Sequence, residues 1–300
     1  MLKESKQLNS IIKILHHCRK NPLQCLRISP FVSRCSQYLS SYLRNVHRLP
    51  NQLIFLRKLF CEDKFLLIIL DACRADLFEH VYTKYIYGKY FRVRAPAAIT
   101  HEWFRIVFKD PVIKVLTKIK PITIYSCNPV INSKVRIRRF SVTDYIGKEY
   151  IIDLWELLWD ESLQTVPPWA LNRFIKENGL AERSIVWYIQ PHYPWINYHE
   201  LFKRLINVSK RLNMNYGELL KHCVMRNIIT HKDVLRGYLF NLHLVLKYVR
   251  ELIDYAKRWG FNKIVITSDH GEAFGEFSVY WHPGGSVAPQ LIVVPWLEVS

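Results

Sequence analysis

The stretch KIVITSDHGEAFGE, residues 263–276, is rich in Ile and Val until it stops on Asp269, His270, Gly271 and Glu272. A carboxylate and an imidazole side by side at the end of an apolar run need polar partners once buried, and a metal ion is the economical one. Three other apolar runs end in similar chemistry. KFLLIILDA stops on Asp71, with Arg74 three residues on; YFRVRA leads through residues 95–99 to Thr100; SIVWYIQPH ends on His192. Asp71, Asp269, His270 and the Thr100 hydroxyl form a donor set for one divalent cation of hard or borderline character, such as Mn²⁺, Zn²⁺, Mg²⁺ or Ca²⁺. Coordination would lower the pKa of the hydroxyl and make Thr100 a nucleophile at neutral pH. A helix starting at Thr100 offers free N–H groups to a phosphoryl-like anion. Arg74 is placed to neutralise an equatorial oxygen of the same group.

These residues need a scaffold that brings distant strand ends together. From residue 64 onward the chain alternates short apolar runs with helical patterns. KFLLIILDA and KIVITSDHG read as strands buried on both faces. CRADLFEHV, THEWFRIVF and the stretch from Pro168 to Gly179 read as helices, and PITIYSCNP and LIVVPWLEV as further strands. Apolar residues at three- and four-residue spacing from Asp233 to Trp259 predict a long amphipathic helix ended by Gly260. The alternation predicts an α/β fold with a mostly parallel central sheet and helices on both faces. Ligands in such sheets bind beyond the carboxyl ends of the strands, where the polar residues above sit.

The chain has 43 Lys and Arg against 25 Asp and Glu, a net charge of +18, and the excess is lopsided. Residues 1–60 hold eleven basic residues and the single acid Glu4. They are expected to form a basic, partly helical N-terminal extension to a domain spanning residues 61–300. Such an arm is attracted to anionic membrane surfaces or nucleic acid, and is equally consistent with a solvated extension. No nucleic-acid motif accompanies it. No apolar run reaches the ~18 residues of a membrane span, and no secretory h-region follows the N-terminal charges. The expected location is the cytoplasm, with room for peripheral attachment at the inner membrane face. Seven cysteines without CxxC spacing argue against a zinc ribbon or a disulfide framework.

The order LDACRAD, a Thr opening a helix, QPHYPW, SDHGEAFGE and then HPGG with VVPWLEV resembles the sulfatase-like hydrolases of the alkaline phosphatase superfamily. The segments IDLWELLWDESLQTVPP and GYLFNLHLVLKYV are similar to its archaeal-type members. The resemblance covers residues 64–300 and implies an alkaline phosphatase-like domain. By position it implies Asp71, Thr100, Asp269 and His270 as metal site, with Thr100 as nucleophile. His192 is then the histidine that contacts substrate or helps the leaving group, and His282 contacts substrate or a second metal. Two departures qualify it. Cys127-Asn128-Pro129 begins like a formylglycine motif but has Ile131 where Arg is required, so formylglycine sulfatase chemistry is not expected. Two-metal members use Asp-x-x-x-His where this chain has Gln190-Pro191-His192, which favours a single cation.

The sequence therefore points to a metal-dependent phosphoric- or sulfuric-ester hydrolase or transferase with a Thr nucleophile, acting on envelope lipid or glycan intermediates. The competing expectation is a catalytically silent sulfatase-like fold that serves as a binding or assembly module. Glu272 has two readings, support for the metal site or a turn residue.

Overall fold

The computed structural model describes Val46 and residues 48–137, 139–212, 216–276 and 279–300. The expectations for residues 1–45 lie outside the described residues. The elements run α1 (Gln52–Cys61), β1 (Phe65–Leu70), α2 (Ala75–Val81), β2 (Gly88–Arg94), α3 (Thr100–Lys109), α4 (Pro111–Ile119), β3 (Thr123–Ser126) and β4 (Ile151–Asp153). They continue with α5 (Leu154–Leu157), α6 (Pro168–Asn178), β5 (Arg183–Tyr188), α7 (His199–Leu212), α8 (Tyr216–Met225) and α9 (His231–Arg258). The chain closes with β6 (Ile264–Thr267), β7 (Ala273–Phe274), β8 (Tyr280–Trp281), α10 (Pro289–Ile292) and β9 (Val293–Val299).

Seven strands form one sheet in the order β2-β9-β6-β1-β5-β3-β4. The five strands from β6 to β4 are parallel, while β9 pairs antiparallel with both β6 and β2. β1 lies in the middle, and all six of its residues are buried. Its period-two alternation feeds two separate cores. Leu66, Ile68 and Leu70 pack with Val245, Leu246 and Val249 of α9 on one face. Phe65, Leu67 and Ile69 pack with Phe60 of α1 and Trp103, Phe104 and Phe108 of α3 on the other. Both faces are thus covered, as the unbroken apolar run of β1 requires.

α9 begins with a capping box between Thr230 and Asp233, which satisfies its first backbone donors. It ends before Gly260, whose φ of 78° is a left-handed conformation that favours glycine. α1 is part of the domain. Its Leu56, Leu59 and Phe60 are buried, and Gln52 donates to Thr267 Oγ1 at 2.8 Å and the Ser268 carbonyl at 2.7 Å. The boundary expected after residue 60 therefore falls in the last turn of this helix. Among the described residues no helix is long and apolar enough to cross a membrane. Cys61, Cys73, Cys127 and Cys223 are free thiols.

Candidate active site at the carboxyl ends of the strands

Parallel strands β1, β5, β3 and β6 all deliver their carboxyl ends to one edge of the sheet, and the loops beyond them build the site. After β1 the chain turns sharply at Ala72, whose φ is 54°. This turn is clamped from α9: Tyr238 Oη donates to the Ala72 carbonyl at 2.8 Å and accepts from the Arg74 amide at 2.9 Å. It places Asp71 over the sheet edge and aims the Ala72 amide at Asp269 Oδ1, 3.3 Å away.

Asp269 and His270 follow β6 and have no solvent exposure. Ser268 fixes their backbone, donating Oγ to the His270 carbonyl at 2.5 Å and accepting from the Cys73 amide at 2.8 Å. Gly271 is needed here because a Cβ would sit 2.0 Å from the Gln290 carbonyl oxygen. Its amide donates to the Leu291 carbonyl at 2.8 Å.

Thr100 is the first residue of α3 and is buried. Its Oγ1 donates to Asp269 Oδ2 at 2.8 Å and lies 3.2 Å from His270 Nε2. His270 Nδ1 faces the Gly271 carbonyl at 2.8 Å. A carbonyl only accepts, so Nδ1 carries a hydrogen, and in the neutral ring Nε2 presents its lone pair to the site. That lone pair lies 3.3 Å from Asp269 Oδ2 and 3.7 Å from Asp71 Oδ1. The ligand atoms of these three residues all fall within 4.8 Å of one another.

Three acceptors therefore face each other, with the Thr100 hydroxyl supplying one hydrogen. Asn128, just beyond β3, donates to Asp71 Oδ2, while Oδ1 has no hydrogen-bond partner among the described residues. Burial first, and then the nearby Asp269 and Glu272 charges, push the Asp71 carboxyl well above the usual carboxylate range. A buried oxygen pair this costly calls for a proton or a cation. The donor set of two carboxylates, one imidazole and one hydroxyl fits a divalent cation.

A second group adjoins the first. His192, Glu272 and His282 also bring ligand atoms within 4.8 Å of one another. His282 Nδ1 lies 3.3 Å from both Glu272 oxygens, and its ring centroid is 4.2 Å from that of His270. Burial raises the Glu272 carboxyl to about 7 against the pull of His192 and His270. Burial, together with His282, lowers His192 to about 3, and burial with His270 holds His282 well below an ordinary imidazole. His192 Nδ1 donates to the Tyr193 carbonyl at 2.6 Å, which again leaves Nε2 as the acceptor.

Both groups open into a cavity of about 520 Å³. Asp71, Thr100, His192 and His282 line it, and Ile99, Val130, Trp159 and Trp281 give it largely apolar walls.

Of the residues expected at the site, Asp71, Thr100, Asp269, His270, His192 and His282 are brought together. Arg74 is not. Its guanidinium points away into ion pairs with Asp76 at 2.7 Å and Glu276 at 2.6 Å, and it lies over the Phe274 ring. It also donates to the Glu272 carbonyl at 3.2 Å, bracing the loop that carries Glu272. Cys127 is buried in the core rather than at the cavity, and burial pushes its thiol well above the ordinary value.

Two residues given no settled role by the sequence stand in the site. Asn128 was legible only as a polar residue at a strand end. Glu272 stands beside His192 and His282, reaching them from the loop after β6.

No protein-family model matches the chain, and no curated protein matches it. Among solved structures it is similar to the soluble domain of lipooligosaccharide phosphoethanolamine transferase A from Neisseria meningitidis. The TM-score is 0.50 with 16% identity, over 77% of this chain and 74% of that one. It also aligns with the C-terminal periplasmic domain of phosphoethanolamine transferase EptC from Campylobacter jejuni (TM-score 0.48, 16% identity, 77% of each chain). A third alignment is with phosphonate monoester hydrolase of Agrobacterium radiobacter (TM-score 0.46, 12% identity, 78% of this chain and 67% of that one). With the first of these the chain shares its fold, a mostly parallel α/β sheet of alkaline phosphatase-like type.

Proposed function

We propose that the protein is a metal-dependent phosphoric- or sulfuric-ester hydrolase or transferase that works through Thr100. The observation that carries this reading is the Thr100 hydroxyl, hydrogen-bonded to Asp269 and in reach of His270 Nε2 at the floor of the cavity. The fold-level likeness to a phosphoethanolamine transferase supports phosphoryl over sulfuryl transfer.

Asp71, Thr100, Asp269 and His270 would hold one divalent cation. When bound, it would supply a Lewis acid that acidifies the hydroxyl and offsets the charge of the transferring group. Thr100 attacks phosphorus and its proton passes to Asp269, the carboxylate it already faces. The Thr Oγ–P bond forms as the bond to the leaving oxygen breaks. Glu272 and His282 share a proton next to the cavity and can give it to that oxygen. Water or an acceptor alcohol then gives its proton to the Glu272–His282 pair and attacks phosphorus, the Thr Oγ–P bond breaks, and Thr100 recovers its proton from Asp269. The positive charge of the chain suits an anionic lipid or glycan intermediate as substrate.

The test is Thr100→Ala in folded, metal-loaded protein, assayed on aryl phosphate mono- and diesters and on aryl sulfates. A loss of about 10³-fold or more in kcat is expected. Full activity in that variant, or no bound divalent ion under any loading condition, leaves a fold that serves only for binding and overturns the reading.

A further inference from the structure

α4 carries more apolar surface than the core uses. Ile113 is buried and Leu116 half-buried, but Val112 is 44% exposed, Val115 55% and Ile119 70%. These three stand at positions i, i+3 and i+7, so they form one strip along the outer side of the helix. Lys114 and Lys118 of the same helix are exposed beside it; Arg105 and Lys109 on the neighbouring α3 are exposed too, while Lys120, just past the helix, pairs with Asp63. The single acid between Arg105 and Lys120 is Asp110, which is buried, caps α4 and pairs with Arg57. Ile54 of α1, a helix that packs against α4, adds another apolar side chain that is 49% exposed.

Single exposed aliphatic residues are ordinary, but three aligned in one strip are not scattered, and a core helix would bury them. An apolar strip framed by lysines matches one kind of surface: acyl chains beneath anionic headgroups. The lysine stems can lie along the strip while their ammonium groups reach the phosphates. We propose that α4 is a docking face for an anionic lipid bilayer, separate from the catalytic cavity. The face begins beyond Lys109, at the opposite end of α3 from Thr100, and none of its residues lines the cavity. Contact with lipid therefore leaves the cavity open.

The experiment uses the full chain and vesicles of phosphatidylcholine, with and without phosphatidylserine, at physiological salt. Wild-type protein should sediment with the phosphatidylserine vesicles and stay in solution with phosphatidylcholine alone. The double change Val115→Ser with Ile119→Ser keeps every charge, and segment 1–45, intact. It should lower partitioning about tenfold, as should Lys114→Gln with Lys118→Gln. All four side chains are exposed, so melting curves should not move. Wild-type protein that ignores both kinds of vesicle overturns the proposal. Unchanged partitioning of the Ser pair also overturns it, assigning binding to other basic residues. A concentration-dependent dimer that the Ser pair abolishes overturns it too, giving the face to a second copy of the chain.

Discussion

Asn128 donates its side-chain amide to Oδ2 of Asp71 and leaves Oδ1 of the same carboxylate buried without a hydrogen-bond partner among the described residues. One oxygen is thus fixed by the amide, and the other faces His270 Nε2 at 3.7 Å. Removing the amide frees the carboxylate to rotate away from His270. Asn128→Ala should weaken divalent-cation binding by about 10- to 100-fold, as loss of a ligand-orienting partner does. Titration of metal against a chelating dye measures this directly. An unchanged affinity would mean that Asp71 is oriented by the turn at Ala72 alone.

The Glu272 carboxyl should make the metal-free protein sensitive to pH. Its native value of about 7 is raised above its ordinary 4.5. Below about 4.5 both native and unfolded states hold the proton and nothing is lost. Between 4.5 and 7 the unfolded chain releases it first, so stability falls as pH rises, and the loss levels off above 7. Glu272→Gln removes this dependence. The variant should gain on wild type through that window, by up to about 3 kcal/mol at pH 8. Chemical denaturation of chelator-treated proteins at several pH values gives the difference, and a flat difference would refute the assignment.

Charge in the cavity predicts a substrate preference. Among the described residues lining it there is no Lys or Arg, and His192 and His282 are held neutral. The second negative charge of a phosphate monoester therefore meets no Lys or Arg, whereas a diester carries one charge only. With the same leaving group, kcat/KM should favour the diester by about tenfold or more, the effect of roughly 1.4 kcal/mol. Val130→Arg, which adds a cation to the wall, should narrow the gap. A preference for bis(4-nitrophenyl) phosphate over 4-nitrophenyl phosphate is the readout.

Tyr238 ties α9 to the turn after β1 through two hydrogen bonds made by one hydroxyl. Tyr238→Phe keeps the ring packing and leaves the Ala72 carbonyl and the Arg74 amide without that partner. A cost of about 1–3 kcal/mol is expected, seen as a melting temperature several degrees lower. Cation affinity should fall with it, because the same turn positions Asp71.

Much of this architecture was readable in advance. The unbroken apolar run of β1, the helical spacing of α9 and the strand-then-helix alternation are local patterns. They report how each segment buries its side chains, and from them the α/β class and the edge of the sheet that carries polar residues both follow. Asp269 and His270 were legible for the same reason, since a buried acid and imidazole ending an apolar strand have few structural uses. The fates of Arg74, Asn128 and Glu272 were not legible. Arg74 follows Asp71 by three residues, yet Asp76 and Glu276 win its guanidinium, and Glu276 lies 202 residues away. Glu272, in the loop after β6, meets His192 of the loop after β5 because the two strand ends are held beside β1 on either side. Spacing along the chain determined which residue types reach the site edge. Only the packing of distant loops decided which way each side chain turns there, because that choice depends on partners with no local trace in the sequence.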